Sequence, residues 1–189
     1  MKHSKYYQEV YRVNQEDNRV IIDVSLDKYL DYFHEWDNSN YKRRDLHPDL
    51  AQFLDVCSTE IPLNRKLEIV FDIKTKHEDL QKESMIKNSY HNYYIALFQY
   101  VNREIRRKVR FSLIVAFIAI FIISMYYFIL TPSNSLLISR IIREGILIGG
   151  WVFMWEAFHI IAFQTLDPIK RRRELKRLLD ARLVFHPCT

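Results

Sequence analysis

A carboxylate and an imidazole stand three residues apart in an apolar stretch near the end of the sequence. Glu156 and His159 are the only ionisable residues between Ile146 and Leu166 (ILIGGWVFMWEAFHIIAFQTL). On a helix they lie about 60° apart, close enough to share a proton or a hydrogen bond. A carboxylate at the centre of a bilayer costs at least about 2.5 kcal/mol, so such residues normally face a bundle interior or a water-filled cavity.

Three interpretations of this pair stay open. The pair can hydrogen-bond across a helix interface, or it can line a pore as a ring in an oligomer. Glu-x-x-His is also the spacing of di-iron carboxylate bundles, but that site needs a second motif and two more carboxylates. The other acidic residues nearest to the pair are Glu144 and Asp167, at the two ends of this segment. We therefore predict a packing or pore role, with no metal and no cofactor.

The glycines of the chain all fall in one window before this pair, at Gly145, Gly149 and Gly150. The first two form GxxxG, a spacing that lets helix backbones approach closely in lipid. Glu156 follows Gly149 by seven residues, about two helical turns, and so lies on nearly the same face. The motif predicts packing within a helical hairpin or between protomers. Incidental flexibility of an apolar helix is the alternative.

Charged residues precede the glycines. Arg140 and Glu144 are an i, i+4 pair, which favours a salt bridge. With Arg143 they could instead form a charged ring at the mouth of a pore.

A basic cluster follows the apolar stretch, in the sequence KRRRELKR. Its basic members are Lys170, Arg171, Arg172, Arg173, Lys176 and Arg177. Basic residues beside a membrane span attract anionic lipid at about 1 kcal/mol each. Anionic lipid is the predicted partner. Nucleic acid is the alternative, because attraction to phosphate does not distinguish the two.

A polar loop in the first half carries an aromatic side chain and three cations, and these ligand-binding candidates are Trp36, Lys42, Arg43 and Arg44. Such a loop before a helix start suits an anion or nucleotide pocket, and it suits equally a salt-bridged loop that holds the helix down. No catalytic set is recognisable, and no glycine-rich phosphate loop exists before Gly145. We expect no enzyme activity.

Two apolar segments must position these groups. Phe111 to Leu130 is twenty residues without a charge, enough to span a hydrocarbon core of about 30 Å. We predict transmembrane helices over 111–130 and 140–167, joined by an extracytoplasmic turn over 131–139 that contains Pro132. A buried core helix or a re-entrant helix is the alternative for the second segment.

Charge is divided unequally along the chain. Residues 1–102 hold 14 Lys and Arg against 17 Asp and Glu, a net of −3, whereas residues 103–189 hold 14 against 6, a net of +8. Basic residues flank the outer ends of both spans and are few in the connection, which predicts that both termini are cytoplasmic in a bacterial inner membrane.

The remaining segments form a small cytoplasmic α/β domain over 1–76 and a continuous stalk helix over 77–110. We predict a β-hairpin made by Val20–Val24 and an earlier strand through Val10, Tyr11 and Val13. We also predict a helix that starts at Asp45–Pro48 and has an apolar stripe of Leu50, Phe53, Leu54 and Cys57. A central strand is predicted over 67–73. The tail over 168–189 is predicted to be basic and amphipathic and to end in an edge strand at 183–185.

Two strings carry a resemblance. FHEWDNSNYKRRDLHPDLAQFLDVCSTEIPLNRKLEIVFDI at 33–73 and REGILIGGWVFMWEAFHI at 143–160 resemble a family of small bacterial two-span membrane proteins of unestablished activity. The plan is also similar to that of membrane effectors in bacterial anti-phage systems, including nucleotidyltransferase-linked systems. Those effectors oligomerise and damage or depolarise the inner membrane when a nucleotide signal changes.

The predicted fold class is an α+β membrane protein with a cytoplasmic α/β domain, a long stalk helix and a transmembrane hairpin. The predicted function is a homo-oligomeric pore or channel of anti-phage defence, gated by a nucleotide, oligonucleotide or other ligand at the cytoplasmic domain. The alternative is a non-conducting anchor or assembly factor that recruits a cytoplasmic protein.

Overall fold

The computed structural model describes residues 3–33, 46–75, 79–129 and 137–188. In these ranges the helices are α1 (His3–Val10), α2 (Pro48–Glu60), α3 (Leu80–Ile129), α4 (Leu137–His159) and α5 (Leu166–Leu179), with a 3₁₀-helix at Tyr29–Tyr32 and a π-helix at Ile160–Gln164. The strands are β1 (Val20–Leu26), β2 (Leu67–Lys74) and β3 (Arg182–Cys188). Two compact units result: the sheet unit, residues 1–99 with 172–189, and the helical unit, residues 100–171. The mixed helix and strand class is confirmed.

The sheet is parallel, in the order β1-β2-β3. Val20 pairs with Leu67, and Glu68 pairs with Arg182. A strand that is covered on both faces has a nearly continuous run of apolar residues. β2 is buried from Leu67 to Phe71, whereas buried and more exposed residues alternate along β1. The predictions of a central strand at 67–73 and of an edge strand at the C-terminal tail are confirmed.

The predicted hairpin at the start of the chain is wrong. Val10 ends helix α1, and Val13 makes only an isolated antiparallel bridge to Val20. Both valines are exposed, at 53% and 40%, so their β-branched shape is not used in the sheet core. The edge of β1 that the hairpin would have filled carries this single bridge.

Helix α2 begins as its sequence predicts. Pro48 occupies the first turn, and the Nδ1 atom of His47 accepts a hydrogen bond from the backbone N–H of Asp49 at 3.3 Å. The predicted stripe is wrong at Phe53, which is 45% exposed. The buried side chains of α2 are Ala51, Leu54, Cys57 and Ser58.

Aromatic side chains fill the core of the sheet unit. Phe71 on β2 lies edge-to-face with Tyr32 at 5.9 Å and stacks with Phe185 on β3 at 5.3 Å. Tyr90, on the first part of α3, donates a hydrogen bond from its hydroxyl to the carbonyl of Leu178 at 2.7 Å. The core therefore joins the first part of α3 to α5, and β2 to β3, although both pairs of elements are far apart in sequence.

Helix α3 is 50 residues long and runs unbroken, as its lack of glycine and proline predicts. The most apolar windows of α3 and of the helices from Arg140 to Leu179 have mean hydropathies of 2.3 and 1.7. Only 17% of each window is buried, whereas a core helix of a soluble protein is mostly covered. By length and composition both segments are compatible with insertion into a membrane.

Candidate functional site

A groove in the helical unit is lined by one charged stretch of α3 and one polar stretch of α4 and the π-helix. Its volume is about 910 Å³. The residues that line it are Tyr100, Arg103, Glu104, Arg106, Arg107, Lys108, Arg110, Phe111, Ile114, Glu156, Ile160 and Gln164. Five of these side chains are cationic and two are carboxylates, so the groove is basic where α3 enters its apolar segment.

Glu156 and His159 lie on the same side of the end of α4. The Nδ1 atom of His159 is 4.0 Å from Oε2 of Glu156, which is too long for a hydrogen bond. The side chains are 51% exposed for Glu156 and 43% exposed for His159. In the part of the chain that the structure describes, no three His, Cys, Asp or Glu residues are close enough to hold a metal ion.

The end of α4 widens into a π-helix before the chain continues as α5. Pro168 has no N–H, so the carbonyl of Gln164, four residues earlier, lacks its usual helical donor. The Nζ atom of Lys108 donates to that carbonyl at 3.1 Å, and the hydroxyl of Thr165 donates to the carbonyl of Ile160 at 2.8 Å. Insertions of this kind are frequent at functional sites.

Lys108 has a second partner. Its Nζ atom is 3.0 Å from Oε1 of Glu104, one turn earlier on α3. Lys108 thus links Glu104 on α3 to the carbonyl of Gln164 in the π-helix.

Small residues allow α3 and α4 to pack closely. Ser112 is fully buried, and its hydroxyl donates to the carbonyl of Ala157 at 2.7 Å. Ala119 and Ala157 are buried in the same unit. Hydrogen bonds and small side chains are what hold helices together in lipid, where the hydrophobic effect is absent.

The three glycines are in different environments. A Cβ added to Gly150 would lie 2.7 Å from Cγ1 of Ile123, so this position lets α4 approach α3. A Cβ added to Gly145 or Gly149 would meet nothing within 4 Å. Packing within the described part of the chain therefore uses Gly150. For Gly145 and Gly149, contact between protomers and incidental flexibility of the helix both stay open.

The charged residues before the glycines do not reach the groove. Arg140 and Glu144 are exposed. The guanidinium of Arg143 lies 5.8 Å from the ring centre of Tyr126, within range of a cation–π interaction. Its buried Nε atom has no hydrogen-bond partner among the described residues.

The basic residues of the tail cluster all lie on helix α5, but they differ in burial. Arg177 is only 8% exposed, although the sequence assigns it to a lipid-binding surface. Its guanidinium donates to the Oγ of Ser58 at 2.8 Å, to the carbonyls of Ile61 and Pro62 at 2.9 and 2.8 Å, and to the carbonyl of Ser58. Arg177 thereby satisfies carbonyls at the end of α2.

Burial lowers the pKa of Arg177 from its usual value, while the nearby Glu174 raises it. The side chain remains charged, because an arginine is not deprotonated in proteins. Arg172, Arg173 and Lys176 are exposed.

The predicted ligand-binding residues Trp36, Lys42, Arg43 and Arg44 lie outside the described residues, as does most of the turn at 131–139. Cys57, a member of the predicted apolar stripe of α2, is buried, and burial raises the pKa of its thiol. Such a thiol is a poor nucleophile.

Sequence reasoning missed Lys108, Ser112 and Gln164. Pro168 was the available signal for Gln164, because a proline inside a helical segment opens the carbonyl four residues before it. No pattern marked Ser112, a single hydroxyl in an apolar run. Comparisons with protein-family models, curated proteins and solved structures find no match to this chain, so the resemblances stated above remain predictions.

Proposed function

We propose that this chain is a homo-oligomeric inner-membrane protein in which copies of α4 surround an ion-conducting path. Glu156 and His159 would face that path. The exposed side of Gly145 and Gly149 would form the contact between protomers.

One observation carries the proposal: a half-exposed carboxylate stands on an apolar helix, and the only ion pair we find for it in the described chain is His159 at 4.0 Å. Facing lipid, that carboxylate would cost at least about 2.5 kcal/mol per chain. Water in a central path, or a second copy of α4, removes that cost. The open glycines on the same face supply the close approach that such an assembly needs.

The sheet supports a hairpin. β3 comes after both apolar segments and pairs with β2, which comes before them. If the chain crosses a membrane, both ends of the sheet unit must lie on one side, which requires an even number of spans. The flanking basic residues favour the cytoplasmic side.

The similarity of plan to anti-phage membrane effectors extends the proposal to a defence role. A ligand bound by the sheet unit would open the path. Helix α3 continues without interruption from that unit into the apolar segment, so it provides a mechanical connection.

The test is membrane potential during regulated expression in bacteria, measured with a voltage-sensitive dye. The wild-type chain is expected to depolarise cells, and Glu156→Gln is expected to reduce that effect at least threefold at equal membrane abundance. Glu104→Gln is the matched control, because it removes a carboxylate of the same groove that Lys108 pairs with at 3.0 Å. Because the proposed path opens on a signal, the same measurement is made during phage infection. An unchanged potential with the wild-type chain in both conditions would contradict conduction and favour the anchor, whose partner would then be sought by affinity capture.

Oligomerisation is tested separately by disulfide cross-linking in membranes. Gly149→Cys is expected to give a cross-linked dimer on oxidation in a background of Cys188→Ser. Trp151→Cys is the control, since Trp151 is 63% exposed but lies about 200° around the helix and about 3 Å along it. Equal cross-linking at both positions would mean random collision and would contradict a specific α4 interface.

A further inference from the structure

A pocket in the sheet unit collects basic side chains where β2 begins and just before β3 begins. Its volume is about 470 Å³. The charged residues that line it are Arg19, Arg65, Lys66, Arg173, Lys176, Arg177 and Asp180. Six cations therefore face one carboxylate. Three of these cations belong to residues 1–102, whose net charge is −3, and three belong to α5.

Most of these cations have no carboxylate of their own. Arg19 is paired with Asp17 at 2.6 Å. Within the part of the chain that the structure describes, we find no ion pair for the other exposed or half-exposed cations, which are Arg65, Lys66, Arg173 and Lys176. Like charges held this close repel one another, and a bound anion would relieve that repulsion.

Arg177 gives the pocket a fixed side. Its guanidinium is held by the carbonyls of Ser58, Ile61 and Pro62, so α5 cannot move away from the end of α2 without breaking these bonds. A buried positive charge is also less screened by water than an exposed one, and it adds to the positive potential in the pocket. The pocket cations Arg173 and Lys176 lie on the same helix and are therefore carried by a backbone that is held in place.

The crevice at the opposite ends of the strands differs in this respect. It has a volume of about 700 Å³ and lies where parallel sheets usually bind ligands. Two of its three lysines are neutralised internally, Lys74 by Asp27 at 2.6 Å and Lys82 by Asp79 at 2.9 Å. An anion has more to gain in the basic pocket.

We propose that the basic pocket binds a phosphate-bearing ligand, with Arg65, Arg173 and Lys176 as its contacts. Arginine pairs well with phosphate because its planar group donates two parallel hydrogen bonds. A volume of about 470 Å³ accommodates a small phosphorylated molecule. The proposed binding of a phosphate-bearing ligand does not depend on whether the chain conducts ions. Only the idea that this ligand opens the ion path rests on the proposed function.

The experiment titrates the full chain in nanodiscs of zwitterionic lipid with inorganic pyrophosphate and with ATP, by calorimetry at low salt. The double variant Arg65→Gln, Arg173→Gln is expected to weaken binding at least tenfold. Arg172→Gln is the matched control, because Arg172 is an exposed arginine of the same helix outside the pocket, and less than a twofold change is expected. Equal melting temperatures would show that the variants are folded.

A second arm distinguishes a free phosphate compound from a lipid headgroup. If nanodiscs containing phosphatidylglycerol weaken pyrophosphate binding to the wild type and to Arg172→Gln, the headgroup occupies the pocket. If they do not, the ligand is a free phosphate compound. The proposal is overturned if neither probe binds, if the double variant binds as the wild type does, or if Arg172→Gln loses as much affinity as the double variant.

Discussion

Arg177 in the sheet unit and Glu156 in the helical unit are charged side chains in opposite environments, one buried and the other half-exposed. Arg177 is 8% exposed and gives hydrogen bonds to three carbonyls and one hydroxyl. The Glu156 side chain is 51% exposed, with His159 4.0 Å away. The sheet unit holds this buried charge with hydrogen bonds from its own chain, although the Nε atom of Arg177 has no hydrogen-bond partner among the described residues. The helical unit leaves a half-exposed carboxylate in the basic groove of α3 and α4, and in our proposal this carboxylate contacts water and further copies of the chain.

The largest effect is expected from Arg177→Met. The variant leaves the acceptors of Ser58, Ile61 and Pro62 buried without donors, at a cost of about 3 kcal/mol in the free energy of unfolding. Chemical denaturation followed by circular dichroism measures it. Arg172→Met should cost little, since Arg172 is exposed. Equal stability of the two variants would contradict the idea that Arg177 holds α5 to α2.

The two kinds of glycine should respond with opposite sign to alanine. Gly150→Ala is expected to destabilise the helical unit by about 1–3 kcal/mol, because its Cβ would lie 2.7 Å from Ile123. Gly145→Ala has open space within one chain and should stabilise the dissociated protomer by about 0.5–1 kcal/mol, whereas in the proposed oligomer its methyl group should weaken the contact between protomers. Thermal unfolding in detergent compares them. A loss at both positions would indicate that the Gly145 face is already packed in the purified protein.

The smallest effect concerns the exposed crevice of the sheet unit. Lys74 lowers the pKa of Asp27 from its usual value of 3.8. A carboxylate with a lowered folded pKa contributes stability above its unfolded pKa, and that contribution is lost as the pH falls through the folded pKa. Asp27→Asn should therefore lower the melting temperature slightly at pH 6 and not at pH 2. A difference that is the same at both pH values would contradict a role for the ion pair.

The sequence pattern predicted those elements whose signal is local. The apolar run at β2, the proline at the start of α2 and the uninterrupted α3 each required only neighbouring residues. The parallel order of the sheet was not predictable in this way, because β3 reaches β2 from more than a hundred residues away.

Errors arose where residue type was given more weight than position. Val10 and Val13 have strand-forming shapes but lie outside the sheet, and Phe53 faces outward on α2 although it is strongly apolar. In the site, Glu156 and His159 were visible because charge is rare in apolar segments. The buried hydroxyl of Ser112 and the role of Arg177 depend on which carbonyl lies opposite, which no single-sequence pattern encodes.

The late position of β3 has a consequence for how the protein is made. The ribosome completes β2 at Lys74, but the strand that covers its second edge begins only at Arg182. At about 5–20 residues per second, that edge stays open for roughly 5–20 seconds of synthesis. A chain in which only one apolar segment inserted would leave β3 on the far side of the membrane and the edge of β2 permanently unpaired. If the chain is inserted as we propose, closure of the sheet would work as a check on insertion, and misinserted chains would expose an open strand edge to chaperones and proteases.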